Sequence, residues 1–554
     1  MGAMMKETTK LLLSGDEAIA LAAYQAGVAL GTGYPGTPST EILETFARHG
    51  GRAQWAPNEK VALEVGIGAA FAGARALVTM KHVGLNVAAD PLFTAAYTGV
   101  TGALVVVSAD DPGMASSQNE QDNRRYAVAA GLPMLEPADS QEAYDFMFAA
   151  LELSERWKLP VLLRVTTRVC HSYSAVLSRP VEPVERSTGF QRDIKSRVMI
   201  PAYARLAHRR LRDKLEELQA WSEGCSLNQV VPGGKLLGVI TSGISFMHAR
   251  EAAPDASVLK LGFTHPLPVK LISDFARSVV RCVVLEEGDP YLVDAIRAAG
   301  IRVEGKASMY RFGELDVPRV RRILNYDLSP EPAKPAGKPP QLCDACQYRI
   351  VFDCLRRMDC IVAGDIGCYT LGVLPPFEAM DCCVCMGASL GVGLGMRHVL
   401  PPEQARRVVS VIGDSTFVHS GISGLIEMMY NPPPQGHVVV ILDNSTTAMT
   451  GHQEHPGTGR ALNHEPTNKL VLEKVVSGLG INRVRVVEPR AGSAEFENAL
   501  SEALAARELS VIIARRPCIL IAKQLKQYEQ ATVANGDGPP EKSASSNPAF
   551  CTVS

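Results

Sequence analysis

Val408-Val409-Ser410-Val411-Ile412-Gly413-Asp414-Ser415 and, further on, Val438-Val439-Val440-Ile441-Leu442-Asp443-Asn444 decide the architecture of this chain. Each is an almost unbroken apolar run that ends in small, acidic or amide residues. Such runs are strands buried on both faces, as in a parallel sheet. Their carboxyl ends then lie side by side, where open α/β sheets bind ligands. Asp414 and Asn444 stand 30 positions apart. A carboxylate, an amide oxygen and a carbonyl just beyond, with Thr446 the candidate, suit Mg²⁺, which takes few protein oxygens and fills its octahedron with phosphate and water. Read alone, the residues also fit a Gly-Asp pair at the end of a Rossmann-like strand.

Working outward, the pattern alternates helix and strand from residue 11 to about 170. Ser14-Gly15-Asp16-Glu17 is a capping box ahead of a helix over 18–26. Buried strands are expected at 76–80, 103–108 and 161–165. A charged helix over 204–223 leads to strands at 235–241, 258–261 and 282–285. A last set of strands falls at 360–363, 408–412, 438–442, 484–487 and 510–514. The expected fold is α/β, with three doubly wound domains. They occupy residues 1–195, 233–328 and 341–527, joined by a helical linker (196–232) and a Pro-rich linker (329–340). A disordered tail is expected over 528–554, where Gly, Pro, Ser and Lys accumulate.

Length and charge narrow the function. The 554 residues have room for several cores, and the net charge of −2 is spread over both signs. No basic stripe interleaved with aromatics is present, so nucleic acid is not an expected partner. No apolar run reaches the length of a membrane span, and residues 1–6 lack the apolar core of a signal peptide; a cytoplasmic chain without a membrane partner is expected. Thirteen cysteines without a secretory signal argue against a disulfide framework. Eight of them, at 343, 346, 354, 360, 368, 382, 383 and 385, fall within 43 positions, a density that points to metal, cluster or redox chemistry. Cys343-Asp344-Ala345-Cys346 is a tight turn with two thiols, and Cys382 and Cys385 share its spacing. A zinc site or free buried thiols are the alternatives.

The Gly413-Asp414-Ser415 and Asp443-Asn444 pair resembles the thiamine diphosphate motif. Further blocks sharpen the likeness: Gly33-Tyr34-Pro35-Gly36-Thr37-Pro38-Ser39-Thr40-Glu41, Met80-Lys81-His82-Val83-Gly84-Leu85-Asn86-Val87 and Ala109-Asp110-Asp111-Pro112-Gly113-Met114. To these are added Ser116-Ser117-Gln118-Asn119-Glu120-Gln121-Asp122-Asn123-Arg124, Gly364-Asp365-Ile366-Gly367-Cys368-Tyr369-Thr370 and Thr447-Ala448-Met449-Thr450-Gly451-His452-Gln453. Over residues 11–525 the chain resembles the alpha subunits of the indolepyruvate:ferredoxin oxidoreductase family, within the 2-oxoacid:ferredoxin oxidoreductase superfamily. The resemblance implies a pyrimidine-binding domain, a transketolase C-terminal-like domain and a diphosphate-binding domain, in that order. It implies thiamine diphosphate, with Asp414, Asn444 and Thr446 on Mg²⁺ and with Gly413 and Ser415 at the diphosphate.

Thiamine chemistry needs a glutamate on the aminopyrimidine ring. Glu59, at the entry of a small-residue helix, is the candidate; Glu64 competes for the role, and a plain helix N-terminal preference is the structural reading of Glu59. By the same resemblance Thr37, His82, Asn86, Gln118, Asn119, Asp122 and Arg124 line the reaction pocket. Thr37 and Arg124 join Glu59 as catalytic residues, Arg124 as a holder of the 2-oxoacid carboxylate, and His82 joins the cofactor side. His419 and His455 flank the metal motif and are as readily structural. Cys343, Cys346, Cys368 and Cys518 are implied ligands of one [4Fe–4S] cluster, with Cys382 and Cys385 as possible substitutes for the first pair.

The implied reaction is oxidative decarboxylation of an aryl 2-oxoacid, of indolepyruvate or phenylpyruvate type, to an acyl-CoA and CO₂, with coenzyme A as co-substrate. Electrons would pass to ferredoxin or another acceptor, and a smaller beta-type subunit would complete a dimer of heterodimers. The alternatives are a non-oxidative thiamine-dependent decarboxylase or carboligase, and a non-catalytic subunit that keeps the fold. Two departures stand out. The family reads Cys-Pro-Gly-Cys-Pro-His-Arg where this chain has Cys343-Asp344-Ala345-Cys346-Gln347-Tyr348-Arg349, which bears on cluster potential and solvent access. The family's ferredoxin-like segment, with repeated CxxCxxCxxxCP, has no counterpart after Cys518, so electrons are expected to leave the proximal cluster directly or through a partner.

Overall fold

A computed structural model describes residues 8–180, 188–332 and 340–534. Most of the expected Pro-rich linker (333–339), the later part of the expected tail (535–554) and Cys551 lie outside the described residues. Two compact units result. One takes in the chain up to the linker together with residues 461–463, and the other takes the remainder. Among the described residues no helix is long and apolar enough to cross a membrane.

The larger sheet of the first unit has seven strands. Their order is Phe263–His265, Met134–Leu135, Val161–Thr166, Ala103–Asp110, Arg75–Lys81, Leu30–Gly33 and Ala53–Trp55. All pairs are parallel except that of Phe263–His265 with Met134–Leu135. Every residue of Ala103–Asp110 is buried, as a central strand covered by helices on both faces must be. The helix Gly15–Gln25 starts at the expected capping box: Glu17 N–H donates to Ser14 Oγ (3.2 Å) and Ser14 N–H to Glu17 Oε2 (3.0 Å). A second sheet of four strands follows, ordered Arg281–Leu285, Gly234–Thr241, Ala256–Leu261 and Asn228–Val231, the last antiparallel.

Two short strands depart from the expected boundaries. Asn228–Val231 falls in the stretch read as a helical linker, yet it pairs with Ala256–Leu261. Phe263–His265 falls in the expected middle domain, yet it completes the edge of the first sheet. Segments of three or four residues carry too little hydrophobic period to be assigned to a sheet in advance. The described residues of these three expected stretches therefore fall in one compact unit. At the other end, the helix Ala522–Ala534 takes in residues 528–534, where disorder was expected. Its Ala, Lys, Gln and Leu are good helix formers, which outweighs the polar composition there.

Buried ions close the seam between the two sheets of this unit. Arg124 donates to Asp122 through Nε (2.8 Å) and Nη2 (2.6 Å), to Glu286 Oε2 through Nη1 (2.8 Å), and to the Glu287 carbonyl (3.1 Å). Its guanidinium also stands 4.9 Å from the centre of the Tyr291 ring. Glu286 in turn accepts the N–H groups of Tyr291, Leu292 and Val293 at the start of the helix Leu292–Ala298. Burial would raise the Asp122 carboxyl, but Arg124 beside it holds it down at about 2. Arg164 similarly donates to Asp110 (2.8 Å) and Glu136 (2.5 Å).

The second unit carries six parallel strands in the order Cys382–Cys383, Ile361–Gly364, Val408–Gly413, His437–Asp443, Leu509–Arg515 and Arg483–Val487. One edge strand is two residues long, and the other pairs Arg483 and Arg485 with Glu508 and Glu502. The anticipated central strands appear with their ends one residue longer. Removing one partner of a buried ion pair leaves the other uncompensated, so Arg124→Gln should lower the stability of the first unit by about 3–5 kcal/mol in urea unfolding. A loss below about 1 kcal/mol, the range of exposed pairs, would show that the network contributes little.

Candidate active site

In both units the side chains of interest leave the carboxyl ends of neighbouring parallel strands. Gly413 pairs in register with Leu442, which sets Asp414 and Asn444 on adjacent strand ends. Asp414 Oδ1 accepts from Ser415 N–H (2.9 Å), and its Oδ2 accepts from Ser445 N–H (2.9 Å), so the second strand end grips the first. Asn444 Oδ1 accepts from Thr446 N–H at 3.1 Å, folding the chain back so that Thr446 follows closely. His455, one of the two flanking histidines, brings Nε2 to 3.3 Å from Asp414 Oδ2 in a buried setting. His419 instead pairs with Ser420 in a π-helical turn after Asp414. A Cβ at Gly413 would come 2.6 Å from the Tyr369 ring, so the glycine makes room for that ring.

The four expected cysteines line one cavity of about 90 Å³, together with Gln347, Asn444 and His452. Cys343 and Cys346 close a turn (Cys346 N–H to Cys343 O, 3.0 Å) just before the helix Gln347–Arg357. Cys368 follows the strand Ile361–Gly364, and Cys518 follows Leu509–Arg515. Cys518 N–H donates to the Asn444 carbonyl at 2.9 Å, which joins the cavity directly to the Asp414–Asn444 strand ends. Gln347 adds a second tie by donating to the carbonyls of Asp443 and Arg516. Burial, followed by the neighbouring thiols of Cys518, Cys346 and Cys343, pushes Cys368 up to about 11. Among the described residues no three of these sulfurs come within 4.8 Å of one another. Cys382, Cys383 and Cys385 sit elsewhere: Cys383 is raised to about 11 by burial and then by Asp365, with Cys382 and Cys385 beside it.

The first unit brings together most of the expected pyrimidine-side residues. Glu59 opens the helix Glu59–Phe71 behind an Asn58 cap and is buried. A Cβ at Gly84 would come 2.6 Å from the Glu59 carboxyl, so the helix His82–Val87 lies directly against it. Glu64 stands on the solvent side, paired with Lys60. His82 is buried at the next strand end; its Nε2 meets the Asn119 carbonyl at 3.1 Å, and its Nδ1 has no hydrogen-bond partner. Burial lowers its pKa, which favours the neutral ring. The loop carrying Thr37 leaves the strand Leu30–Gly33 and is tied by Gly36 N–H to Thr40 Oγ1 (3.0 Å).

Arg124 does not take the expected catalytic place. Four of its N–H directions go to Asp122, Glu286 and the Glu287 carbonyl, which leaves no fork for a substrate carboxylate. Asp122 is bound to the same network. Asn86 accepts from Tyr126 Oη (2.6 Å), and Gln118 and Asn119 are exposed. The cation near Thr37 is Lys81, which sequence reading passed over. It runs past Gly36 and donates to the Ser116 carbonyl (2.6 Å), while Ser116 Oγ donates to the Thr37 carbonyl (3.4 Å). Burial lowers Lys81 to about 8, against the opposing pull of Asp111. Its position as the last residue of a buried strand was the available signal. Asp365, within the Gly364–Thr370 block, accepts from the Ile366, Gly387 and Ser389 N–H groups.

Comparison with known proteins places both units in thiamine diphosphate families. The description "Pyruvate flavodoxin/ferredoxin oxidoreductase, thiamine diP-bdg" matches residues 21–199, and "Thiamine pyrophosphate enzyme, C-terminal TPP binding domain" matches residues 365–514. Indolepyruvate oxidoreductase subunit IorA of Archaeoglobus fulgidus is 40% identical over 559 residues, covering 94% of this chain and 89% of that protein. The chain belongs to the indolepyruvate oxidoreductase IorA family. The subunit of the same name from Methanothermobacter thermautotrophicus is 41% identical, covering 93% of this chain and 88% of its own. A solved 2-oxoglutarate:ferredoxin oxidoreductase from Magnetococcus marinus is a distant likeness, with TM-score 0.47 and 18% identity over 57% of this chain and 65% of that one. Members of the family are thiamine-diphosphate-dependent 2-oxoacid oxidoreductases, and oxidative decarboxylation of a 2-oxoacid is the activity of this chain.

Proposed function

We propose that this chain oxidatively decarboxylates an aryl 2-oxoacid of the indolepyruvate or phenylpyruvate type, with coenzyme A as acyl acceptor. One-electron transfer would run through a proximal [4Fe–4S] cluster. The observation that carries the reading is the cavity shared by Cys343, Cys346, Cys368, Cys518 and Asn444, in which thiols and metal motif meet. Buried thiols with raised pKa values need a bound metal to be held as thiolates.

Thiamine diphosphate, when bound, supplies a carbon nucleophile for the 2-oxo carbon and an electron sink as CO₂ leaves. Asp414, Asn444 and the Thr446 carbonyl are the proposed holders of Mg²⁺, a set of oxygens suited to that ion. Glu59 is the proposed holder of the proton at the aminopyrimidine ring. The unpartnered Nδ1 of buried His82 supports a ligand on the same side, since such an atom calls for a donor. Lys81 with Thr37 replaces Arg124 as the proposed holder of the substrate carboxylate. A smaller beta-type subunit would complete the enzyme as a dimer of heterodimers, passing electrons to ferredoxin or another acceptor.

Anaerobic assay of 2-oxoacids with coenzyme A and viologen dye, in the presence of the partner subunit, tests the reading; an aryl 2-oxoacid should be the best substrate. Glu59→Gln should lower kcat by about 10²–10⁴-fold, the usual contribution of acid–base groups, with thiamine diphosphate still bound. Wild-type turnover in that variant would remove the role. Cys346→Ala should strip iron and dye reduction together while magnesium-dependent cofactor binding persists; undiminished iron would move the cluster to other thiols. Lys81 is charged below about 8 and neutral above, so kcat/KM should fall as pH rises through that value. Lys81→Gln should raise KM by about 10–100-fold, as loss of a charged hydrogen bond would, and flatten that fall. An unchanged pH profile in the variant would clear Lys81 of the assignment.

A further inference from the structure

We propose that Asp16, Glu41 and His171 form a divalent-cation site in the first unit, of the kind that takes Mn²⁺, Fe²⁺ or Zn²⁺. One ligand atom from each lies within 4.8 Å of the others. Asp16 belongs to the first turn of the helix Gly15–Gln25, Glu41 to the first turn of Thr40–Arg48, and His171 closes the helix Thr167–His171. The three segments are pressed together: a Cβ at Gly15 would fall 2.2 Å from the Val169 carbonyl. His171 Nε2 stands 4.0 Å from Glu41 Oε2.

Asp16 is what makes this more than a group of surface acids. It is fully buried, and neither of its carboxylate oxygens has a partner in good hydrogen-bond geometry; the donor that approaches it is the weak Cys170 thiol. The polar groups that act on it most are the Cys170 thiol and the carboxylates of Glu41 and Glu17. Burial, then Glu41 and Glu17, drives its carboxyl well above the usual range. Buried carboxylates are normally paired or hydrogen-bonded, and an unsatisfied one calls for an ion or water. Two carboxylates and an imidazole are a donor set for first-row divalent metals. A cation here would tie the start of Thr40–Arg48, into which the Thr37 loop runs, to the starts and ends of two other helices. A shared proton would relieve the same repulsion, and the test separates the two.

The full chain, stripped with EDTA and kept free of thiamine diphosphate, would be titrated with Mn²⁺ and the free ion followed by electron paramagnetic resonance. Mn²⁺ is chosen because thiols compete poorly for it, and any binding at Asp414 is common to all variants. Wild-type protein should bind one Mn²⁺ per chain that is lost or weakened at least about tenfold, roughly 1.4 kcal/mol, in both Asp16→Asn and His171→Ala. Mn²⁺ should also raise the melting temperature of wild type but not of the variants. Equal stoichiometry and equal melting shifts in all three would overturn the proposal in favour of a proton alone. His171 is largely exposed, so His171→Ala keeps the test decisive even if Asp16→Asn fails to fold.

Discussion

Parallel register between Val408–Gly413 and His437–Asp443 is the constraint on which the chemistry of the second unit depends. With Gly413 opposite Leu442, Ser445 N–H reaches Asp414 and the two strand ends meet. Side chains alternate between faces, so a slip of one residue would turn Asp414 or Asn444 away from the rim. The next strand extends the arrangement, since Asp443 pairs with Arg515 and Cys518 follows three residues later. The Asp414–Asn444 pair and the thiol cavity are thus consecutive positions along the carboxyl ends of one sheet.

The first unit solves a different problem. Its two sheets present strand ends crowded with acids and arginines, and burial of such charges is unfavourable unless every one finds partners. Arg124 and Arg164 supply them, bridging Asp122, Glu286, Asp110 and Glu136. Loops between strand ends are thereby fixed, including the stretch that carries Asn119 against His82.

Long buried strands were legible because each carries a local signal, an apolar run; the nearness of Asp414 to Asn444 and the meeting of the four cysteines in one cavity follow from strand ends that such runs place side by side. Arg124 was misread for a physical reason. Its type and block suited a carboxylate clamp, but its partners Glu286 and Glu287 lie over 160 residues away, and no local pattern announces them. Asn228–Val231 and Phe263–His265 were missed because strands so short owe their existence to a neighbour's free edge, not to their own period. Lys81 and Asp16 owe their unusual settings to burial, which composition does not reveal.

The outer strands of the second unit's sheet have a bearing on aggregation. Two residues on one side offer too short a row of free N–H and C=O groups for another chain to extend. On the other side, arginines held by glutamates line the exposed margin. Both are ways of blunting strand-on-strand growth. The sheet of this unit therefore offers little purchase to a strand from another chain.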